Sequence, residues 1–260
     1  MDLDKIQQEA LRIQNIYNIS GIALFVISTI SVFIALISYL YSKKSAKKFK
    51  SCELAKYYAD YILPKTNYIS NVFNLSKLGS LLKELFKPEE IHDFDYNEMT
   101  RLLGNKYSEK EITNKIQGIN PEHLLSVRLF LAKNNTERNE ILSSYISKVS
   151  DEASVTIDKS SLNNEFSRLI TELLNELEWF SMHFTYKLAD ERLVYQSLHQ
   201  TFISNVQVLY FYISRINKST SEKFFTNIIQ LYGTWYKCKV NQQKKQRSLE
   251  RILLRRGKPL

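Results

Sequence analysis

The sequence predicts an all-α protein: one N-terminal transmembrane helix, then a helical cytoplasmic domain ending in a bundle of three long helices. Three observations point there. Residues 13–42 hold no charged side chain, in a chain that is 24% charged. Glycine (6) and proline (4) are too scarce over 260 residues for a turn-rich β architecture. Beyond residue 50, apolar residues recur at helical steps between capping signatures.

Residues 1–19 are predicted as a short exported helix, 20–41 as the span and 42–50 as a polybasic juxtamembrane segment. Ser20 to Tyr41 reads SGIALFVISTISVFIALISYLY. At 1.5 Å per residue it reaches about 33 Å, against a hydrocarbon core of about 30 Å. A helix on a soluble core seldom stays uncharged that long, because one face must meet water. Asp2, Asp4 and Glu9 outweigh Lys5 and Arg12 before the span, whereas Lys43, Lys44, Lys47, Lys48 and Lys50 follow it. Basic residues beside a span stay cytoplasmic. The reading is therefore single-pass in a bacterial inner membrane, with the N-terminus outside and the C-terminal domain cytoplasmic. The same lysines suit the bilayer's anionic headgroups. An acidic lead and a long apolar stretch fit a cleaved signal peptide poorly. Ser28, Ser31, Ala35 and Ser38 form a stripe of small residues that would let helices approach closely in lipid, and this predicts a homo-oligomer.

Residues 51–150 are predicted as a helical middle region. Cys52–Leu63 is a short amphipathic helix stopped by Pro64. Tyr68–Phe86 places Val72, Leu75, Leu78, Leu82 and Leu85 on one face and closes before Pro88. Asp95 with Glu98 is a capping box opening a helix that Gly104 ends, and Ser108 with Glu111 opens the next, through Ile116. Pro121 takes the first position of a helix to about Lys133, and Thr136 starts another through Val149. The polar, patternless residues 150–160 read as a linker. Residues 160–260 form the bundle with a basic tail: Ser161–Leu188, Asp190–Asn217 and Ser221–Arg256, the last capped by Ser219 with Glu222.

Chemistry-bearing signatures are few. The six glycines stand apart, so no phosphate-cradling loop exists. His92, His123, His183 and His199 have neither i, i+4 pairing nor a cysteine nearby, which argues against zinc. His92, Asp93 and Asp95 read as an acidic helix start rather than a metal site. No catalytic residue, no metal and no cofactor is predicted, and the chain is read as a non-enzyme. Cys52 and Cys238 are expected as reduced thiols. The helix–glycine–helix stretch Asp95–Gln117 superficially resembles a DNA reader but has no positive surplus.

Two sets of residues stand out. Asn175 and Glu178, three apart, share a helix face beside Trp179; they are read as structural polar contacts or the edge of a ligand pocket. The net charge of +9 sits at two ends: +5 in the juxtamembrane lysines and +8 in residues 237–260, leaving −4 elsewhere. In that tail Lys244, Lys245, Arg247, Arg251, Arg255 and Arg256 surround Leu249, Ile252, Leu253 and Leu254. Such a helix suits a protein partner's groove, a membrane surface or nucleic acid.

From Ile170 to about Gln246 the chain carries Leu174, Asn175 and Glu178 within LNELE, then Trp179 and Phe180. It continues with Asp190 and Glu191, a Tyr/Phe-rich helix ending near Arg215, and Tyr232 with Trp235. This stretch resembles a bacterial family of uncharacterised single-span membrane proteins with an α-helical cytoplasmic domain. The resemblance implies no catalytic role, and some members accompany phage-defence modules. The middle region 65–150 is longer here than in that family. The combined expectation is a membrane-anchored signalling or effector protein with a self-associating span and a cytoplasmic protein partner. The alternative is a passive scaffold that tethers a protein or nucleoprotein complex through the helical domain and basic tail.

Overall fold

The computed structural model describes residues 3–148, 155–157, 159–218 and 222–255, with side chains described over 28–145, 160–218 and 222–252. The chain divides into two compact units, Met1–Phe49 and Lys50–Leu260.

Helix α1 (Leu3–Tyr57) accounts for the described part of the first unit. Between Ile30 and Tyr41, Ile30, Val32, Phe33, Ile34, Leu36, Ile37, Tyr39, Leu40 and Tyr41 are each 52–76% exposed. Among the described residues no helix is long and apolar enough to cross a membrane. Side chains of the predicted span are described only from Ser28, and the stretch to Tyr41 would reach about 21 Å, short of the roughly 30 Å of a hydrocarbon core. The side chains of residues 20–27, and of the exported segment before them, lie outside the described residues.

The second unit is helical apart from one short ladder. Pro64 does not stop a helix. The chain passes from α1 through a π-helical turn, Tyr58–Ile62, into α2 (Leu63–Leu75), with Pro64 in the first turn of α2. The Leu63 N–H reaches back five residues to the Tyr58 carbonyl. Proline lacks an N–H and its ring crowds the carbonyl four residues back, so a wider turn just before it lets the helix continue.

The single helix expected over Tyr68–Phe86 is broken. Ser76 bonds back to the Val72 carbonyl (3.1 Å) and Lys77 turns left-handed (φ 58°) before α3, Leu78–Leu85. Val72, Leu78 and Leu82 are buried, but Leu75 is 51% exposed, so the five do not share one face. The turn brings Gly79 so close to α2 that a Cβ there would lie 2.8 Å from the Asn74 side-chain oxygen.

Helices α4 (Tyr96–Leu103), α5 (Glu109–Gln117) and α6 (Pro121–Leu131) begin and end close to expectation. Ser108 and Glu111 make the full reciprocal box, and Gly104 closes α4 at φ 58°. Helix α7 (Asn135–Tyr145) ends four residues short of Val149. Strand β1 (Ile146–Lys148) follows and pairs antiparallel with β2 (Val155–Ile157), Ile146 opposite Ile157 and Lys148 opposite Val155. Part of the expected linker is thus strand, and β-branched Val155, Thr156 and Ile157 supply the propensity. Residues 150–154 and 158 of that stretch lie outside the described residues, and Lys159 and Ser160 belong to the helix that follows.

Three long helices complete the unit: α8 (Lys159–Thr185), α9 (Glu191–Ile216) and α10 (Thr226–Arg255). Helix α8 stops three residues early, because Lys187 turns left-handed (φ 57°) and Leu188 bonds back to the His183 carbonyl at 2.8 Å. Helix α10 starts five residues late, after Phe225 at φ 60°; Glu222 is not helical, and Ser219 lies outside the described residues. Helix α10 packs on both α8 and α9, α2 and α6 lie on α8, and α3 and α4 lie on α9. At the centre Trp235, 0% exposed, meets Phe202 (5.0 Å), Tyr195 (5.7 Å), Phe184 (6.1 Å) and Phe180 (6.4 Å) ring to ring.

Candidate functional site

Asn175 and Glu178 are not brought together. Asn175 is exposed, whereas Glu178 turns to the start of α10. One carboxylate oxygen accepts from the Asn227 N–H (3.1 Å) and its side-chain amide (2.7 Å), the other from the Ile228 N–H (2.9 Å). The first N–H groups of a helix have no partner within it, and a carboxylate there also meets the positive end of the dipole. Thr185 completes the cap by donating to Asn227 Oδ1 at 2.6 Å. Glu178 therefore fastens α8 to α10.

The expected capping box of Asp95 with Glu98 forms only by half. Asp95 does cap α4, accepting from the Glu98 N–H at 2.8 Å. Glu98 does not reciprocate. It is 5% exposed and gathers the loop before the helix. Its Oε1 accepts from the N–H groups of His92 (2.7 Å) and Asp93 (3.0 Å), and its Oε2 from those of Asp93 (3.0 Å) and Phe94 (2.9 Å). The Tyr210 hydroxyl of α9 also donates to Oε2, at 2.8 Å. Gln207 holds the start of this loop through the Phe86 carbonyl (2.7 Å), and Asn217 its end through that of Phe94 (2.9 Å). Burial pushes the hydroxyls of Tyr210, Tyr58, Tyr68, Tyr212 and Tyr232 well above the usual tyrosine range, so all five stay neutral.

The Nδ1 atoms of His183 and His199 sit on the backbone carbonyls of Trp179 (2.9 Å) and Tyr195 (2.7 Å) in their own helices. Among the described residues no three His, Cys, Asp or Glu side chains converge on a point that could hold a metal ion. Both cysteines are free and exposed. A groove of ≈ 590 Å³ that the sequence did not mark runs between α3 and the α5–α6 turn, lined among others by Lys77, Asn114, Lys115, Asn120 and His123.

The remaining predicted residues lie on helix surfaces. Lys43, Lys44 and Lys48 are exposed, Lys47 and Lys50 half-buried. Lys50 bonds Glu53 (3.1 Å) and lies 5.8 Å above the Trp179 ring, which also meets Tyr57 at 4.8 Å. Ser28, Ser31, Ala35 and Ser38 are exposed along α1. Lys244, Lys245, Arg247 and Arg251 are exposed on α10; Arg255 closes that helix, and Arg256 lies outside the described residues.

Residues 125–235 match the family described as a Domain of unknown function (DUF4760). No curated protein and no solved structure matches the chain. The matched stretch runs from α6 to Trp235 and so includes Glu178, Tyr210 and the aromatic centre, while Glu98 lies before it.

Proposed function

We propose that this chain is a non-enzymatic, inner-membrane-anchored signalling or effector protein. Residues 20–41 cross the bilayer once with the N-terminus outside, the lysine collar meets anionic lipid, and the helical domain senses a cytoplasmic protein partner. Self-association along Ser28, Ser31, Ala35 and Ser38 passes the response to the membrane. The supporting observation is the surface of α1: nine large apolar side chains within twelve residues are at least half exposed, on all sides of the helix. Apolar surface of that extent is unfavourable in water and marks a place for lipid or protein. The resemblance to a family with phage-defence associations supports placing the response in defence.

Fractionation tests the anchor. The chain should stay in the pellet through a carbonate wash, and a C-terminal fluorescent fusion should glow while a C-terminal alkaline phosphatase fusion stays inactive. A soluble product refutes the anchor, and an active phosphatase refutes the orientation. Effector action is read by membrane depolarisation on overexpression, which Ser31→Leu or Ala35→Leu should relieve.

A second reading, a tether for a cytoplasmic protein or nucleoprotein complex, is favoured by one observation. Helix α10 continues well past Trp235, its last buried residue among the described ones. Capture of a partner that is lost on deleting residues 237–260 supports it; capture that survives the deletion excludes it.

A further inference from the structure

Beyond Gln242 no described residue of α10 hydrogen-bonds to another helix. The last such bond is from the Tyr195 hydroxyl to Gln242 (3.4 Å), and from Asn241 to Ile252 every residue is exposed except half-buried Glu250. Lys237, Lys239, Lys244, Lys245, Arg247, Arg251 and Arg255 face one acid, Glu250, which accepts from Gln246 one turn back at 3.2 Å. At 3.6 residues per turn, Lys237, Lys244, Arg247 and Arg251 fall within an arc of about 80°, and they extend over about 21 Å of helix. Asn241, Gln242, Gln243, Gln246 and Ser248 supply the neutral polar groups between them.

We propose that this overhang binds the sugar–phosphate backbone of a nucleic-acid duplex without regard to sequence. The inference rests on the tether reading and names the partner's chemistry. Lysine and arginine interspersed with amide and hydroxyl side chains are the usual partners of phosphate oxygens. A helix about 10–12 Å across matches a major groove about 12 Å wide, and among the described residues Asn241 to Ile252 are exposed all round it apart from half-buried Glu250. A bilayer surface fits less well. An interfacial helix carries an apolar face along its length, whereas the apolar residues of this stretch, Leu249, Ile252, Leu253 and Leu254, are confined to its end, after a run of amides.

The test is fluorescence anisotropy of labelled 20-base-pair DNA duplexes of two unrelated sequences, with the full chain in zwitterionic nanodiscs. Both duplexes should bind alike. With four to five phosphates neutralised, affinity should fall about 150- to 500-fold between 50 and 200 mM salt, a slope of about −3.6 to −4.5. The triple variant K244Q/R247Q/R251Q should flatten that slope by about 2.7. The substituted side chains are exposed and off the body, so circular dichroism and Tm should not change, and pelleting of the variant with membranes separates this test from that of the anchor. Absence of duplex binding at 50 mM salt, a slope indifferent to the triple substitution, or variant-sensitive binding to anionic vesicles without duplex binding would each overturn the proposal.

Discussion

Replacing Glu98 by alanine should destabilise the helical unit far more than any surface change. The carboxylate accepts from three backbone N–H groups and the Tyr210 hydroxyl, all within 3.0 Å, at a position 5% exposed. Alanine leaves four donors without an acceptor. A hydrogen bond to a charged group is worth about 1.5–3 kcal/mol net, which gives a gross loss of about 6–12 kcal/mol. Two effects offset this: the variant escapes the cost of desolvating the carboxylate, and water enters the space left behind. Removing one partner from a buried charged network costs about 3–5 kcal/mol in practice, and we expect that range. The loop has a further reason to come loose, since Phe94 sits at φ 53°, an unfavourable conformation for a residue with a Cβ. Its ring holds Tyr210 (5.2 Å) and Tyr232 (5.3 Å), so the disturbance reaches α9 and α10. Glu98→Gln keeps the shape but turns an amide N–H₂ toward donors, and should cost about 2 kcal/mol or more. Tyr210→Phe removes one of the four donors to the carboxylate, for about 1.5–3 kcal/mol. Urea unfolding of the full chain reads the series as a fall in midpoint at constant slope. If Glu98→Gln matched the wild type, or Glu98→Ala cost under about 1 kcal/mol, the carboxylate would not be what holds this loop.

Glu178→Ala should cost about 1.5–3 kcal/mol and speed hydrogen exchange at the Asn227 and Ile228 amides, whereas Asn175→Ala should stay within about 0.5 kcal/mol in the same unfolding assay. Trp235→Ala should cost about 3–5 kcal/mol by leaving a cavity among four rings, readable as a loss of midpoint in urea. The Lys218 ammonium above all, with the Tyr96 hydroxyl and Arg215, holds the Glu109 carboxyl below its ordinary value of 4.5. A carboxyl depressed in the folded state contributes stability above its unfolded value and loses it as pH falls through the folded one. The stability difference between wild type and Glu109→Gln should therefore be present at pH 6 and vanish as the pH drops below 4.5 toward the folded value, as thermal melts across that range would show.

Local signals were legible where one residue acts on its neighbours. Asp95, Ser108, Pro121 and Gly104 mark helix ends because each acts on the backbone within four residues. The same reasoning failed at Lys77, Phe94, Lys187 and Phe225, four left-handed positions occupied by non-glycine residues. No glycine marks them; the turns are closed instead by short-range bonds, from Lys77 to the Asn74 carbonyl (3.1 Å), from Lys187 to that of Phe184 (3.0 Å), by Glu98 at Phe94, and by Asn217, which accepts from the Phe224 N–H at 2.8 Å. Glu178 was legible as a polar residue needing a partner, but its partner lies 49 residues away across an unforeseen turn. Glu98 shows the reverse: the pattern Asp-x-x-Glu was real, and the second half of the box was outcompeted by three unpaired N–H groups upstream.

The π turn before Pro64 answers a problem of phase that was written in the sequence and not read. Leu54, Tyr58, Ile62 and Thr66 are all buried, at successive steps of four. In a regular helix each such step drifts about 40°, so Tyr58 and Thr66, eight apart, would point about 80° from each other. A π turn absorbs one residue, which makes the pair equivalent to seven apart and reduces the divergence to about 20°. Both then reach a single target. The Asn205 amide donates to the Tyr58 hydroxyl (3.0 Å) and to Thr66 Oγ1 (3.2 Å), while Thr66 donates to the Ile62 carbonyl at 2.9 Å. Asn205 is 6% exposed and lies on α9, so this three-way contact joins the chain that continues from α1 to the middle of the bundle. Proline two residues after the turn suits this arrangement, because it cannot donate the bond that a regular helix would need there. Repeated steps of four ahead of a proline therefore signal a widened turn rather than a helix end.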